Sequence, residues 1–174
     1  YYKREALNKE AFTEDGYFKT GDAGYLKGNE LFLTERIKDL YKTSNGKYVA
    51  PQAVESKLLV DKYIEQIAVI ADERKFVSAL IVPAYGLLEE FAREYNIPYG
   101  NRQDLCDNPK ITKMLAERIN TLQQGLAGYE QVKRFTLLPE PFTMENGELT
   151  NTLKTRRPVI IKNYAEIIEK MYQE

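Results

Sequence analysis

The sequence predicts an α+β fold in which a central β-sheet is flanked by helices. Two strongly apolar runs, Ile67–Ala71 and Phe76–Val82, are joined by a short polar segment, which is typical of a hairpin of two buried strands. Segments with helical spacing of apolar residues lie before and after this hairpin. Hydrophobic residues make up 43% of the 174 residues, which is enough to build a packed core. Because strands and helices interleave along the chain, the fold class is α+β.

The first part of the chain predicts a helix and a hairpin. Residues 5–12 have a helical pattern, and Asp15-Gly16 marks a turn. Tyr25-Leu26 and Leu31–Leu33 flank Lys27-Gly28-Asn29, which indicates two strands joined by a tight turn. We expect residues 1–37 to be the tail of a preceding domain and residues 38–174 to form a separate small domain.

The second part predicts further helices around the apolar hairpin. Pro51 suits the first turn of a helix that runs to about Val60. A polar, turn-rich stretch, Ile97–Asn108, separates two later helices, the second ending near Gly128. The next strand is Val132–Leu138, followed by a loop over Pro139–Asn151. The apolar positions that predict the three later helices are Leu87, Leu88, Phe91 and Tyr95; Ile111, Leu115, Ile119, Leu122 and Leu126; and Ile160, Tyr164, Ile167, Ile168 and Met171.

Composition excludes several classes of function. Lys and Arg number 25 against 26 Asp and Glu, a net charge of -1 that gives no reason to propose a nucleic-acid partner. The absence of histidine excludes Ser-His-Asp and Cys-His catalysis within the chain, and we predict no metal site. The single cysteine, Cys106, has no local base, so a structural role is expected.

The sequence carries no membrane or export signal. No apolar run approaches the roughly 20 residues that span a bilayer. The chain begins with Tyr1 rather than Met, so we expect a fragment of a longer, cytoplasmic protein. Peripheral contact of that protein with the inner face of a membrane stays open.

The first motif is Gly16–Asp22, which ends in Lys-Thr-Gly-Asp. Glycine permits a tight backbone turn, and a carboxylate accepts two hydrogen bonds, as the two hydroxyls of a ribose would offer. The alternative is an ordinary turn capped by Asp22.

The second motif runs from Leu33 to Lys47 and combines four basic residues with a turn-forming loop. Loop N–H groups and lysines together suit a phosphate or another polyanionic ligand. The alternative is a solvated, charged hairpin.

The third motif, Asn146–Arg157, places Lys154 in a flexible loop before the last helix. A lysine there can neutralise charge that develops on a phosphate or carboxylate in a transition state. The alternative is a basic stretch at a helix start.

The three motifs in this order resemble the end of the adenylate-forming enzymes, which include acyl-CoA synthetases, luciferases and peptide synthetase adenylation domains. Arg36–Gly46 followed by Val49-Ala50-Pro51 and Glu55 is similar to that family's hinge and glycine loop. The amino-acid sequences of the second and third motifs look closest to those of long-chain fatty acid–CoA ligases. The resemblance implies a small C-terminal lid domain, with an N-terminal hairpin left from the large domain.

The resemblance implies roles in forming the acyl-adenylate. Asp22 would bind the ribose hydroxyls of ATP or AMP, and Arg36 would approach the same nucleotide. Lys38 occupies the position of the hinge residue. Lys154 would contact the substrate carboxylate and the α-phosphate, where it offsets charge rather than acting as a nucleophile.

The resemblance also implies roles in transfer to CoA. Lys42 would face the active site after the lid rotates, and Ser44, Asn45 and Gly46 would line the CoA channel. Two residues depart from the family pattern, because Glu35 and Asn45 stand where glycine is usual. Asn tolerates left-handed backbone angles, so we expect the loop shape to survive.

The ligands and partners implied are ATP with Mg²⁺, CoA, a fatty acid and the chain's own large N-terminal domain. The phosphate loop, adenine pocket and acyl tunnel belong to that large domain, so we expect no activity from this chain alone. Two alternatives remain: an adenylating enzyme whose acceptor is an acyl carrier protein or an amine, and a non-catalytic interaction module that keeps the fold.

Overall fold

A computed structural model describes residues 2–173, with the side chain of Glu35 outside the described part. The chain divides into two compact units, Tyr1–Leu40 and Tyr41–Glu174. The departure from the family pattern noted at Glu35 therefore lies outside the described side chains.

The first unit contains one helix and one hairpin. Helix α1 spans Glu5–Ala11, strand β1 spans Asp22–Lys27 and antiparallel strand β2 spans Glu30–Arg36. Gly28 has φ +62° at the first position of the two-residue turn, where a left-handed angle matches the twist of the strands. A 3₁₀ turn, Ile37–Asp39, follows β2. The helix and hairpin predicted for this part of the sequence are confirmed.

The second unit contains five strands and six helices among its described residues. The strands are β3 (Tyr41–Lys42), β4 (Tyr48–Val49), β5 (Ile64–Ile70), β6 (Val77–Pro83) and β7 (Val132–Leu137). The helices are α2 (Pro51–Leu58), α3 (Tyr85–Glu94), α4 (Arg102–Cys106), α5 (Pro109–Leu122), α6 (Arg157–Asn163) and α7 (Ala165–Tyr172). Strands β3 and β4 form a small antiparallel pair, while β5, β6 and β7 form the main sheet.

The main sheet is mixed, in the order β5-β6-β7. β5 and β6 form the predicted antiparallel hairpin, and β7 is parallel to β6. A parallel neighbour needs a long crossover, which α3, α4 and α5 provide. All seven residues of β6 are buried, as expected for a central strand covered on both faces. The one polar side chain there, Ser78, meets the Tyr172 hydroxyl at 2.7 Å.

The predicted helix boundaries were wrong at two places before β7. The stretch Ile97–Asn108 holds the short helix α4, which a capping box between Asn101 and Asp104 stabilises. Helix α5 ends at Leu122 rather than near Gly128. The side chain of the next residue, Gln123, bonds both the N–H and the carbonyl of Val132, and so ties the helix end to β7.

The single final helix predicted from residues 160–171 is also wrong, because two helices stand there. Tyr164 separates α6 from α7 with φ −108° and ψ 21°. Its ring packs edge-on against Phe142, with centroids 5.8 Å apart. Ile160 and Ile168 are fully buried on either side of the break, so the apolar face stays continuous and the pattern conceals the break.

Candidate functional site

Asp22 and Arg36 face each other at the open end of the β1–β2 hairpin. They are register partners, and Arg36 Nε lies 3.3 Å from Asp22 Oδ1. The two sequence-predicted nucleotide contacts are thus neighbours, although fourteen positions apart in the printed sequence. The Asp22 N–H donates to Thr20 Oγ1 at 3.2 Å, which fixes the start of the strand. Both side chains keep solvent access, so the carboxylate is available to a ligand.

Lys38 lies in the 3₁₀ turn just before the boundary between the two compact units. The turn is tied back to the hairpin, because the Ile37 N–H donates to the Gly21 carbonyl at 2.8 Å. Lys38 is exposed, which suits a residue at a junction.

The loop that joins β3 to β4 is a compact, self-bonded turn. Thr43 is buried at its base, where its hydroxyl donates to the Lys47 carbonyl at 3.2 Å and accepts the Lys47 N–H at 3.1 Å. Gly46 has φ +74°, and its N–H donates to the Thr43 carbonyl at 2.8 Å. The sequence suggested that Asn45 would adopt a left-handed backbone conformation. Asn45 does not have a positive φ, and Gly46 adopts that conformation instead.

Lys42, Ser44, Asn45 and Gly46 are all exposed on this turn. The turn rests on the β5–β6 connection, since the Ser44 N–H donates to the Arg74 carbonyl at 3.0 Å. The residues predicted to line a CoA channel therefore form one solvent-facing surface with a fixed backbone.

Lys154 is exposed at the end of a hydrogen-bonded turn. The Leu153 N–H donates to the Thr150 carbonyl at 2.8 Å, and the Thr150 N–H donates to the Lys154 carbonyl at 2.8 Å. The Lys154 N–H in turn donates to Thr150 Oγ1 at 3.1 Å. The flexible loop expected here is a braced turn, because Thr150 bonds the lysine backbone on both sides. An open groove lined by Met144, Leu149 and Arg156 runs beside it.

The base of the Lys154 turn is anchored by Glu148, a carboxylate only 1% exposed. It accepts the Thr143 N–H at 3.0 Å and the Asn163 amide at 3.1 Å, which joins the turn to α6. Burial, with a smaller contribution from Glu148, raises the pKa of Tyr164 to about 12. The buried carboxylate thus orders both ends of the segment that carries Lys154.

Glu55 and Arg157 form a buried ion pair that the sequence did not reveal. Arg157 Nη2 lies 2.5 Å from Glu55 Oε2, and the Val69 N–H donates to Glu55 Oε1 at 2.9 Å. Burial raises the pKa of Glu55, although the Arg157 guanidinium acts in the opposite direction. The pair connects α2, which follows the Lys42 turn, to α6, which follows the Lys154 turn. Glu55 belonged to a recognised motif, but nothing in the spacing indicated that its partner lies 102 positions away.

Cys106 is buried and has a structural environment, as predicted. Its sulfur lies 3.0 Å from the Tyr85 hydroxyl, which donates to the Leu138 carbonyl at 2.7 Å. Burial raises the pKa of the Cys106 thiol, so the thiol is poorly suited to act as a nucleophile.

Residues 2–173 contain neither a metal-binding cluster nor a membrane-spanning helix. Acidic and sulfur-bearing side chains nowhere gather in a group of three that would hold a metal ion. Within the same range, no helix has the length and apolar character needed to cross a membrane.

A solved structure has a similar fold. The A-PCP didomain of the carboxylic acid reductase from Segniliparus rugosus, in complex with AMP, is 30% identical with a TM-score of 0.74; the match covers 99% of this chain and 23% of that one. The fold and the placement of the motifs therefore define the C-terminal region of an adenylate-forming enzyme.

The chain belongs to the AMP-binding enzyme C-terminal domain family, whose sequence pattern matches residues 38–174. It is similar to long chain acyl-CoA synthetase 6, peroxisomal, of Arabidopsis thaliana, at 36% identity over 100% of this chain and 25% of the relative. Human long-chain-fatty-acid–CoA ligase 6 is 34% identical over 99% of this chain and 25% of its own length. The chain thus spans about a quarter of the length of these relatives.

Proposed function

We propose that this chain is the lid of an ATP-dependent long-chain fatty acid–CoA ligase. Such an enzyme joins a carboxylate to ATP, forming an acyl-adenylate and pyrophosphate, and then passes the acyl group to the CoA thiol. The relatives named as long-chain ligases support this substrate class. The observation that carries the proposal is the pair of separately braced, exposed lysine turns within one family domain, because two half-reactions need two working surfaces.

In the first half-reaction, Lys154 acts on the reacting groups. Its ammonium lies against the substrate carboxylate and the α-phosphate, and neutralises the charge that builds up as the carboxylate oxygen attacks phosphorus. A donor placed in advance costs no reorganisation during the reaction, and the braced turn supplies that placement. Lys154 remains protonated throughout and forms no covalent bond.

Asp22 and Arg36 bind the nucleotide in the first half-reaction. The ribose hydroxyls donate hydrogen bonds to the Asp22 carboxylate, while Arg36, 3.3 Å away, holds that carboxylate in place and faces the phosphates. These contacts position ATP and take no part in bond breaking.

In the second half-reaction, the Lys42 turn replaces the Lys154 turn at the active site. The chain pivots at Lys38, at the junction of the two compact units. Ser44, Asn45 and Gly46 line the channel through which the pantetheine arm of CoA enters. The thiol then attacks the acyl carbonyl, AMP leaves, and Lys42 stabilises the departing phosphate charge.

The chain requires the rest of its enzyme for turnover. It supplies a ribose contact, a hinge and two lysines, whereas the phosphate loop, the adenine pocket and the acyl tunnel lie in the large domain. Mg²⁺ would arrive with ATP, because no cluster of acidic side chains suited to a metal occurs in the described part of the chain.

A carrier protein is the second candidate acceptor in place of CoA. The likeness to the A-PCP didomain favours it, since that enzyme combines the same region with a PCP. Glu35 and Asn45 stand where glycine is usual in the family, and Asn45 is itself part of the proposed CoA surface.

ATP–pyrophosphate exchange, followed by an acceptor panel, tests the proposal. The complete enzyme should exchange with long-chain fatty acids and transfer the acyl group to free CoA, while the 174-residue chain should do neither. Transfer to a carrier protein with none to CoA would favour the second candidate. Exchange by the 174-residue chain alone would contradict the dependence on a large domain.

A further inference from the structure

The Lys42 turn is clamped to the connection between β5 and β6. The Lys42 N–H donates to Asp72 Oδ1 at 3.1 Å, and the Lys42 carbonyl accepts the Glu73 N–H at 2.9 Å. Two residues after Lys42, the Ser44 N–H donates to the Arg74 carbonyl at 3.0 Å. Both polar groups of the Lys42 backbone are therefore held by two consecutive residues that belong to no proposed site.

The connection that forms the clamp is itself strained. Glu73 has φ +57°, an angle that a residue with a Cβ adopts only at a cost in free energy. The turn is closed by the Arg74 N–H, which donates to the Ala71 carbonyl at 3.1 Å. Such a backbone persists where the surroundings determine it, and here the two strands that enter and leave the turn lie in the buried sheet.

The final helix restrains the same connection from the other side. The Arg74 guanidinium pairs with Glu169 of α7 and lies over the Tyr172 ring, 4.8 Å from its centroid. Asp72 accepts from the Lys42 backbone through its side chain, and it does so as a carboxylate, which makes a stronger bond than a neutral acceptor.

We propose that Asp72 is a positioning residue for the thioester-forming half-reaction, acting through the backbone of Lys42. This inference rests on the proposed function, in which Lys42 works in the second half-reaction. Without the Asp72 acceptor, the Lys42 backbone keeps its bond from Glu73 and its pairing with β4 but loses the bond from its N–H, so the position of its side chain is less tightly fixed. The Lys154 turn has its own anchors, so the first half-reaction does not depend on Asp72.

Three variants of the complete enzyme test this role. Asp72→Ala removes the acceptor, Asp72→Asn keeps an oxygen at the same place, and Glu90→Ala in α3 is a matched control at an exposed acid. Asp72→Ala should slow thioester formation from supplied acyl-adenylate by about tenfold or more, since a displacement near 1 Å suffices for such a loss. Adenylation should stay within about twofold, and Asp72→Asn should restore most of the lost rate.

Amide exchange in the 174-residue chain gives a second readout. Protection of the Lys42 N–H should fall at least about tenfold in Asp72→Ala and return in Asp72→Asn. Equal loss in both half-reactions, no loss in either, no rescue by Asn, or unchanged protection would each overturn the inference. Lys42→Ala separates the two claims: if it slows thioester formation while Asp72→Ala does not, only the inference fails, and if Lys42→Ala has no effect, the proposed function of Lys42 fails with it.

Discussion

Leu153, directly before Lys154, has a backbone conformation that leucine rarely adopts. Its φ is +59°, and its side chain is 67% exposed, so packing of the side chain does not explain the angle. Residues in such conformations cost about 1–3 kcal/mol and cluster at functional sites. Glu73, which bonds the Lys42 carbonyl, has a similar angle of +57°. Each proposed working lysine is therefore held next to a strained residue.

Leu153→Gly tests whether the strained backbone aims Lys154. Glycine relieves the strain but frees the turn, so the free energy of unfolding should change by no more than about 1 kcal/mol. Acyl-adenylate formation should nevertheless fall by about tenfold, because Lys154 loses its fixed direction. Leu153→Ala keeps the backbone restriction and should retain nearly full activity. A glycine variant as active as the alanine variant would remove this role from Leu153.

The candidate residues could be named from the sequence, but their surroundings could not. Asp22, Lys42 and Lys154 lie in short motifs whose amino-acid sequences are distinctive. Arg157 as the partner of Glu55, and Asp72 as the acceptor for Lys42, depend on chain segments far apart in sequence. Single-sequence patterns carry no information about such pairs.

At the scale of elements, a buried ion pair connects the helices that follow the two lysine turns. The Glu55 side chain, 8% exposed, bonds Arg157 of α6 and the N–H of Val69 in β5. Removing one charge of a buried pair leaves the other without compensation, whereas replacing both is far less costly. The ion pair therefore stabilises the connection between α2 and α6.

Glu55→Gln should lower the free energy of unfolding by about 3 kcal/mol, because it removes the charge that faces Arg157, whose side chain is only 13% exposed. Glutamine keeps an acceptor for Val69, so the loss reports on the ion pair. The double variant Glu55→Gln, Arg157→Met should lie closer to the wild type in urea denaturation than Glu55→Gln does. A double variant that loses the sum of the two single changes would show that the residues act independently.

The Arg74–Glu169 pair connects α7 to the turn that clamps Lys42, and it is pH-sensitive. The hydrogen bond from Arg74 lowers the pKa of Glu169 below its ordinary value of 4.5. A carboxyl with a depressed folded-state pKa contributes stability above its unfolded pKa, and loses it as the pH falls through the folded pKa. The contribution of this pair should thus be fully present above about pH 4.5, decline below it, and be lost once the pH has fallen through the lower pKa of Glu169 in the folded protein.

Carbon-detected NMR titration of Glu169 tests whether its pKa is lowered. Its pKa should lie below 4.5 in the wild type and return to the ordinary range in Arg74→Ala. A Glu169 titration that Arg74→Ala leaves unchanged would show that the pair does not persist in solution.

Local patterns predicted the existence of the long elements better than their ends or their pairing. Strands β5 and β6 were evident because apolar residues fill the second half of β5 and most of β6. The parallel placement of β7 follows from the crossover through three helices, which no local pattern encodes. The break at Tyr164 was hidden because the apolar spacing continues through it, and α4 was missed because its five residues are mostly polar.

At the scale of the whole molecule, two compact units meet at a short turn. The boundary follows Leu40, and the family match begins at residue 38, so Lys38 lies within three residues of both positions. The second unit carries Lys42 and Lys154 on different braced turns, joined through the sheet and the Glu55–Arg157 pair. We propose that, in the complete enzyme, this unit rotates to present one turn or the other to a partner domain.

Separate assays of the two half-reactions, applied to Lys154→Ala and Lys42→Ala in the complete enzyme, test that claim most directly. Lys154→Ala should reduce acyl-adenylate formation by about 10²–10³-fold and leave thioester formation from supplied acyl-adenylate near the wild-type rate. Lys42→Ala should give the reverse pattern. Lys162→Ala, which removes an exposed lysine of α6, is the control and should affect neither. If each lysine variant slowed both half-reactions equally, or neither, the two-surface account would be contradicted.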